Sequence, residues 1–122
     1  MFSDPIVVTL ESVPTNLPRI STKELAATYK SADGRDSLSV SHQVGKTRTR
    51  TLVRLDRESN VSFRATGDTS AQKHSAYIVI DYPSQSTFST DLEFVQNEVA
   101  DLTSYLTANT NAVLVRLLGL ET

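Results

Sequence analysis

Ser37 to Val44, "SLSVSHQV", alternates strictly: Leu38, Val40 and Val44 fall on one parity together with His42, and Ser37, Ser39, Ser41 and Gln43 on the other. Successive side chains of a strand point to opposite faces, so the stretch predicts a strand with one apolar and one polar side. Gly45-Lys46 can turn the chain into a second strand, "KTRTRTLVRL". There Lys46, Arg48, Arg50 and Arg54 share one parity, and Thr47, Thr49, Thr51, Val53 and Leu55 share the other. The pair predicts an antiparallel hairpin with Leu, Val and Thr on one face and Ser, Gln, Lys and Arg on its back.

The flanks also read as strands and turns. Ile6 to Leu10 is β-branched and follows Pro5. Pro14, Asn16 and Pro18 punctuate a turn, after which Arg19 to Thr22 is expected to return as a strand. Leu25 to Lys30 is a further strand candidate, although Leu25, Ala26 and Ala27 would also suit a helix. Asp33-Gly34 signals a tight turn. His74 to Tyr82, "HSAYIVIDY", places Ile78, Ile80 and Tyr82 on one face and Tyr77, Val79 and Asp81 on the other, and Pro83 ends it. Between these strands, Arg57 to Lys73 is polar and weakly patterned, which predicts a long loop. Loops of that length usually have a function.

After Pro83 the period changes. Thr90-Asp91-Leu92-Glu93 has the form of a capping box with Thr90 as the cap. Leu92, Val95, Val99, Leu102 and Leu106 then recur at helical spacing, with Phe94 and Tyr105 beside them. Ala108 to Asn111 breaks the helix, and Thr110 or Asn111 is expected to cap a second, short helix that runs through Leu118 and ends at Gly119. Val113, Leu114, Val115, Leu117 and Leu118 make this helix apolar nearly all round, so it must be buried on more than one side. A chain of 122 residues offers few places for that. The layout is α+β: a strand meander, apolar on one side, followed by two C-terminal helices.

Composition narrows the picture. With 39% apolar and 21% charged residues, the chain has the make-up of one folded domain spanning residues 1–122. It holds no membrane-length apolar run and no signal-peptide pattern, so neither a membrane partner nor secretion is expected. The absence of cysteine removes disulfides and thiolate chemistry. The 12 basic and 14 acidic residues sum to −2, but they are segregated. Lys46, Arg48, Arg50, Arg54 and Arg57 cluster against Asp56 alone, whereas Asp91, Glu93, Glu98, Asp101 and Glu121 make the C-terminal third acidic.

Catalysis finds little support. His42 and His74 lie on different strands without metal-ligand spacing. The four glycines are scattered and cradle no phosphate, and Asp33, Asp36 and Asp56 fall at turns or strand ends. No catalytic residue, metal, cofactor or small-molecule substrate is expected. The basic strand face has two readings: an ordinary solvated surface, or a nucleic-acid interface. For the second, alternate residues place cations about 6.5–7 Å apart, close to the phosphate spacing of a single strand. Ser39, Ser41 and Gln43 can add hydrogen bonds, and Tyr77 a stacking surface.

The stretch "STFSTDLEFVQNEVADLTSYLTAN" resembles the first C-terminal helix of single-stranded RNA bacteriophage coat proteins, through Ser89, Thr90, Asp91, Phe94, Val95, Glu98 and Leu102. "LSVSHQVGKTRTRTLVRLDR" resembles that family's central hairpin, and "HSAYIVIDYP" its last strand. Length and element order agree, and the likeness is looser before Ser37. The resemblance implies an N-terminal β-hairpin, a five-stranded antiparallel sheet and two C-terminal helices. Two subunits would interlock, each laying its helices across the other's sheet, to give a ten-stranded sheet. Leu102, Leu106, Val113, Leu114, Leu117 and Leu118 would then lie in the dimer interface. It further implies a structural capsid protein that assembles in the bacterial host cytoplasm into a T=3-like icosahedral virion around single-stranded genomic RNA, with a possible second role as a translational repressor that binds an RNA hairpin. The RNA-facing positions carried over by strand parity are Ser39, Ser41, Lys46, Arg48, Arg50, Arg54 and Tyr77. Val79 departs from the polar residue usual at its position. The Arg57–Lys73 segment corresponds to a loop that clusters at the shell's symmetry axes. The competing expectation is a cellular, dimeric nucleic-acid-binding module that does not assemble.

Overall fold

A computed structural model describes residues 2–120; Met1, Glu121 and Thr122 lie outside the described residues, and with them the last of the acidic side chains noted above. Two short strands, β1 (Ile6–Leu10) and β2 (Val13–Leu17), form an N-terminal hairpin. Five more form an antiparallel sheet in chain order: β3 (Arg19–Lys23), β4 (Ala26–Lys30), β5 (Asp36–Val44), β6 (Arg48–Ser62) and β7 (Thr69–Pro83). A C-terminal helical element, α1 (Leu92–Leu118), follows.

The register joins the parities read from the sequence into two continuous faces. Val40 pairs with Val53, which pairs with Ile78, and Leu38 pairs with Leu55. These residues lie on the apolar face. On the other, Ser39 pairs with Arg54 and Arg54 with Tyr77, while Gln43 pairs with Arg50 and Arg50 with Asp81. A one-residue slip would exchange the faces. The observed register keeps the arginines together.

The N-terminal hairpin lies on the apolar face. Leu10 and Leu17 are buried with Tyr29 and Val40. Arg19 stacks over the Tyr29 ring at 5.3 Å from its centroid and donates to its hydroxyl from Nη2 at 3.1 Å. Arg57 secures the far end, with Nε on Asp36 at 3.1 Å and Nη1 on Glu11 at 3.5 Å.

Four expectations change. The hairpin partner of β1 is β2, not Arg19 to Thr22. Its turn is Glu11-Ser12, both at positive φ (50° and 66°), a conformation that the sequence does not announce with Asn or Gly. Pro14 is tolerated because β2 is an edge strand.

Arg57 to Lys73 is not a loop. β6 and β7 stay paired from Arg57↔His74 to Ser62↔Thr69, forming a hairpin arm closed by a turn in which Gly67 (φ +75°) donates to the Phe63 carbonyl. Its side chains are largely exposed, so no core imposed an apolar alternation for the sequence to display.

The cap of α1 is Asp91, whose carboxylate accepts from the Glu93 and Phe94 amides. The Thr90 hydroxyl is committed to the Pro83 carbonyl at 2.8 Å. A carboxylate also suits the positive end of the helix dipole.

Finally, the two expected helices form one element interrupted where Ala108–Asn111 leave helical geometry. Asn109, Thr110 and Asn111 are left-handed, so neither Thr110 nor Asn111 acts as a separate cap.

No residue of α1 is buried within the chain. Val95, Val99 and Leu106 are half-covered, but Leu102, Tyr105, Val115, Leu117 and Leu118 are exposed, Leu118 to 83%. β7, 15 residues long, is an edge strand.

Candidate nucleic-acid interface

The polar sheet face is built by three strands whose side chains project at the same register. Across β5, β6 and β7 the rows are Ser39–Arg54–Tyr77, Ser41–Leu52–Val79 and Gln43–Arg50–Asp81. Ser41, Gln43, Arg50, Leu52, Arg54, Tyr77 and Val79 line a shallow concavity of about 310 Å³. Ser39 lies in the adjoining row, next to Arg54. Arg48 lies beyond Arg50, opposite Pro83.

Six of the seven residues expected to meet RNA are therefore on one face. Lys46 is not on the strand: it sits in the β5–β6 turn, where the Gly45 amide donates to the Arg48 carbonyl at 2.9 Å and the Thr87 hydroxyl to the Lys46 carbonyl at 2.5 Å. The cation row is also interrupted. Leu52 stands between Arg50 and Arg54, so these two Cα atoms are about 13 Å apart. The gap has its own character: Leu52, Val79 and Tyr77, the last 61% exposed, form an apolar floor flanked by arginines. Such a surface can take the flat face of a base while the guanidinium groups reach for phosphates.

The electrostatics are less simple than a row of free cations. Arg48 Nε donates to Asp81 Oδ1 at 3.0 Å, and Arg50 Nη2 lies 3.5 Å from Asp81 Oδ2. Arg54 Nε donates to Asp56 Oδ1 at 2.9 Å and its Nη2 to the Ser75 hydroxyl at 3.2 Å; that hydroxyl in turn donates to Asp56. The Ser75 hydrogen bond, reinforced by Arg54, holds the Asp56 carboxyl below the usual carboxylate range. Asp81, Asp56, Ser75 and Leu52 belong to this site, yet basic spacing alone does not find them. Strand parity does, once the register of β7 against β6 is known.

His42 is on the opposite face, its Nδ1 2.9 Å from the Thr51 hydroxyl, in a cross-strand pair consistent with a structural role. Among the described residues, no group of three or more His, Asp or Glu side chains is placed to hold a metal ion, and no helix is long and apolar enough to cross a membrane.

No protein-family model matches the sequence, and no curated protein matches it. Solved structures do. The virus-like particle of bacteriophage AVE019 matches with a TM-score of 0.74 at 10% identity, covering 96% of this chain and 94% of that one. The capsid protein of bacteriophage GA matches at 0.60 and 12% identity over 98% and 95%. An unassembled bacteriophage coat-protein dimer, described as RNA-binding, matches at 0.56 and 15% identity over 97% and 93%. The chain has the bacteriophage coat-protein fold. What it shares with these proteins, at such identities, is the backbone arrangement: hairpin, five-stranded sheet and C-terminal helical element in the same order along nearly the whole chain. The basic face, its aspartates and its apolar floor are side-chain properties of this sequence.

Proposed function

We propose that this protein is a structural capsid protein, a single coat-protein domain over residues 1–122, that dimerises and packages single-stranded RNA. The observation that carries the reading is the apolar surface left without a cover. α1 exposes Leu102, Leu117 and Leu118, and β7 ends the sheet with 15 residues of unpaired edge. Long open edges are avoided in stable monomers because they template pairing with other chains. The apolar sheet face also has a concavity of about 390 Å³ beside the hairpin, lined in part by Leu25, Ala27, Tyr29 and Val40.

A second copy answers all three features. The β7 edges pair into a ten-stranded sheet, and each copy's helical element crosses the other's apolar face. Leu102, Leu106, Val113, Leu114, Leu117 and Leu118 then line the interface. Each leucine so covered contributes about 1.5–3 kcal/mol. The polar face, left bare, meets RNA through Ser39, Ser41, Arg48, Arg50, Arg54 and Tyr77, with Lys46 at its margin. Dimers assemble in the bacterial host cytoplasm into a T=3-like shell, with this face towards the genome. Repression of translation through an RNA hairpin is part of the same reading, with Val79 as the position at which recognition would depart from the related proteins.

Electron microscopy of the purified protein, with nuclease-protected RNA measured in the same sample, tests this. Uniform shells containing RNA are the expected result. Dispersed dimers that bind RNA without assembling would replace the reading with that of a cellular nucleic-acid-binding module.

A further inference from the structure

The arginines of the polar face are not equally available. Arg54 gives Nε to Asp56 and Nη2 to Ser75, so its guanidinium is gripped along one edge with Nη1 left over. Arg48 and Arg50, by contrast, converge on one carboxylate from two positions of the same strand: Arg48 through Nε at 3.0 Å and Arg50 through the terminal Nη2 at 3.5 Å, one on each oxygen of Asp81. Two guanidinium groups sharing two oxygens of one anion is also the arrangement that a phosphodiester, with its two non-bridging oxygens, would adopt. Asp81 is not deeply held. Its side chain is 37% exposed, and both arginines are more exposed still. Solvent-exposed pairs of this kind hold each other only weakly, so an incoming anion can displace one partner.

We propose that Arg48 and Arg50 form a phosphate subsite that Asp81 occupies when RNA is absent, and that RNA binds there by displacing the Asp81 carboxylate. This rests on the polar face being the RNA surface. Asp81 thereby sets the threshold of the face: it lowers affinity for any single strand, and it keeps Arg48 Nε and Arg50 Nη2 paired in the free protein. Asp56 carries the same charge on the same face but takes the Nε edge of Arg54 under the direction of Ser75, so it orients a cation rather than filling a phosphate position.

The comparison of Asp81→Asn with Asp56→Asn separates displacement from the mere gain of one positive charge, since both variants change net charge equally and both are isosteric. The probe is an unstructured single-stranded RNA oligonucleotide, titrated against dimers across a salt series. D81N is expected to bind about two- to five-fold tighter than wild type, the factor that corresponds to releasing an exposed pair. Its plot of log affinity against log salt should keep close to the wild-type slope, because the same phosphate is neutralised once Asp81 has been displaced. D56N is expected to fall short of that gain. Equal behaviour of the two variants, or wild-type affinity for D81N, overturns the displacement. An Arg48→Glu/Arg50→Glu protein tests the underlying reading separately: if it binds as wild type does, the RNA surface lies elsewhere. If it loses affinity while D81N gains none, only the role of Asp81 is wrong.

Discussion

Thr49 and Ser84, both buried, share a hydrogen bond of 2.7 Å between their hydroxyls. The Ser84 hydroxyl donates to the Gly45 carbonyl at 2.5 Å, so Thr49 is left as donor to Ser84. The Ser84 amide donates to the Thr47 carbonyl at 3.0 Å. One serine thus ties the end of β7 to the β5–β6 turn and fixes where the chain departs towards α1. Ser84→Ala would leave the buried Thr49 hydroxyl and the Gly45 carbonyl without this partner. The expected cost is about 1–3 kcal/mol, read as a lower urea midpoint at fixed protein concentration. Ser84→Ala with an unchanged midpoint would mean that the clamp is dispensable.

The uncovered helical element makes a second prediction. Leu114 is half-covered within one chain, and Leu117 is exposed. Under the dimer reading both become buried, and an aspartate at either position would be an unpaired buried charge. Leu117→Asp should abolish soluble dimer, with loss seen by sedimentation. Were the residue simply a surface leucine, the substitution would be harmless and the oligomer unchanged. A variant that sediments as a stable folded monomer would count against interlocking.

How much of this was legible beforehand depended on whether a core stood behind the pattern. Leu38, Val40, Val53 and Leu55 alternate because one side of the sheet is apolar, and their parity fixed both faces correctly. The β6–β7 arm has no such backing: Ser59, Asn60, Gln72 and Lys73 are exposed, and their pairing is held by backbone hydrogen bonds to which any polar residue is indifferent. It therefore read as a loop. The Glu11-Ser12 turn was hidden for another reason, since it adopts positive φ without the residues that favour it. In the site, the arginines declared themselves by spacing. Asp81 did not, because its partners lie about thirty residues earlier in the chain and meet it only through strand pairing.

The arm itself leads to a third expectation. It projects beyond the contacts of the core, and its tip carries Phe63, exposed to 55%. Shortening it by removing Asn60 to Ala71 and closing with a two-residue turn should leave the thermal unfolding of the dimer nearly unchanged. Assembly should suffer, giving irregular or no particles by electron microscopy. Normal shells from the shortened protein would show that the arm makes no contact between dimers.

Acid sensitivity follows from Asp56. Its folded carboxyl lies below the ordinary value of 3.8 because Ser75 and Arg54 favour the ionised form. A depressed carboxyl stabilises the fold above the unfolded-state pKa, and that contribution is lost as pH falls through the folded value. Asp56→Asn should therefore be less stable than wild type near neutrality, with the difference disappearing below pH 3.8. Ser75→Ala should narrow the gap by raising the Asp56 carboxyl, which a carboxylate titration followed by NMR would read directly. A carboxyl that titrates at its ordinary value in both proteins would remove the argument.

The last prediction concerns what the shell holds. Arg48 and Arg50 project from β6 on the polar face, more than half exposed, and neither supports the core. Replacing both with Glu should preserve the fold, because the buried contacts of Tyr29, Val40 and Leu17 lie on the opposite side of the sheet. Most of the binding at this face is expected to come from counterion release, so losing the phosphate that the two arginines share should flatten the salt dependence by about 0.7 in log–log slope. Tyr77 is affected differently: stacking is worth about 1–3 kcal/mol per base and responds little to salt, so Tyr77→Ala should weaken binding at every salt concentration without changing the slope. In particles, the double arginine variant should package less RNA per shell, or assemble only when a polyanion is supplied. Wild-type RNA content together with a wild-type salt slope would show that the genome is held by some other surface, and that the arginines of β6 are an ordinary solvated face.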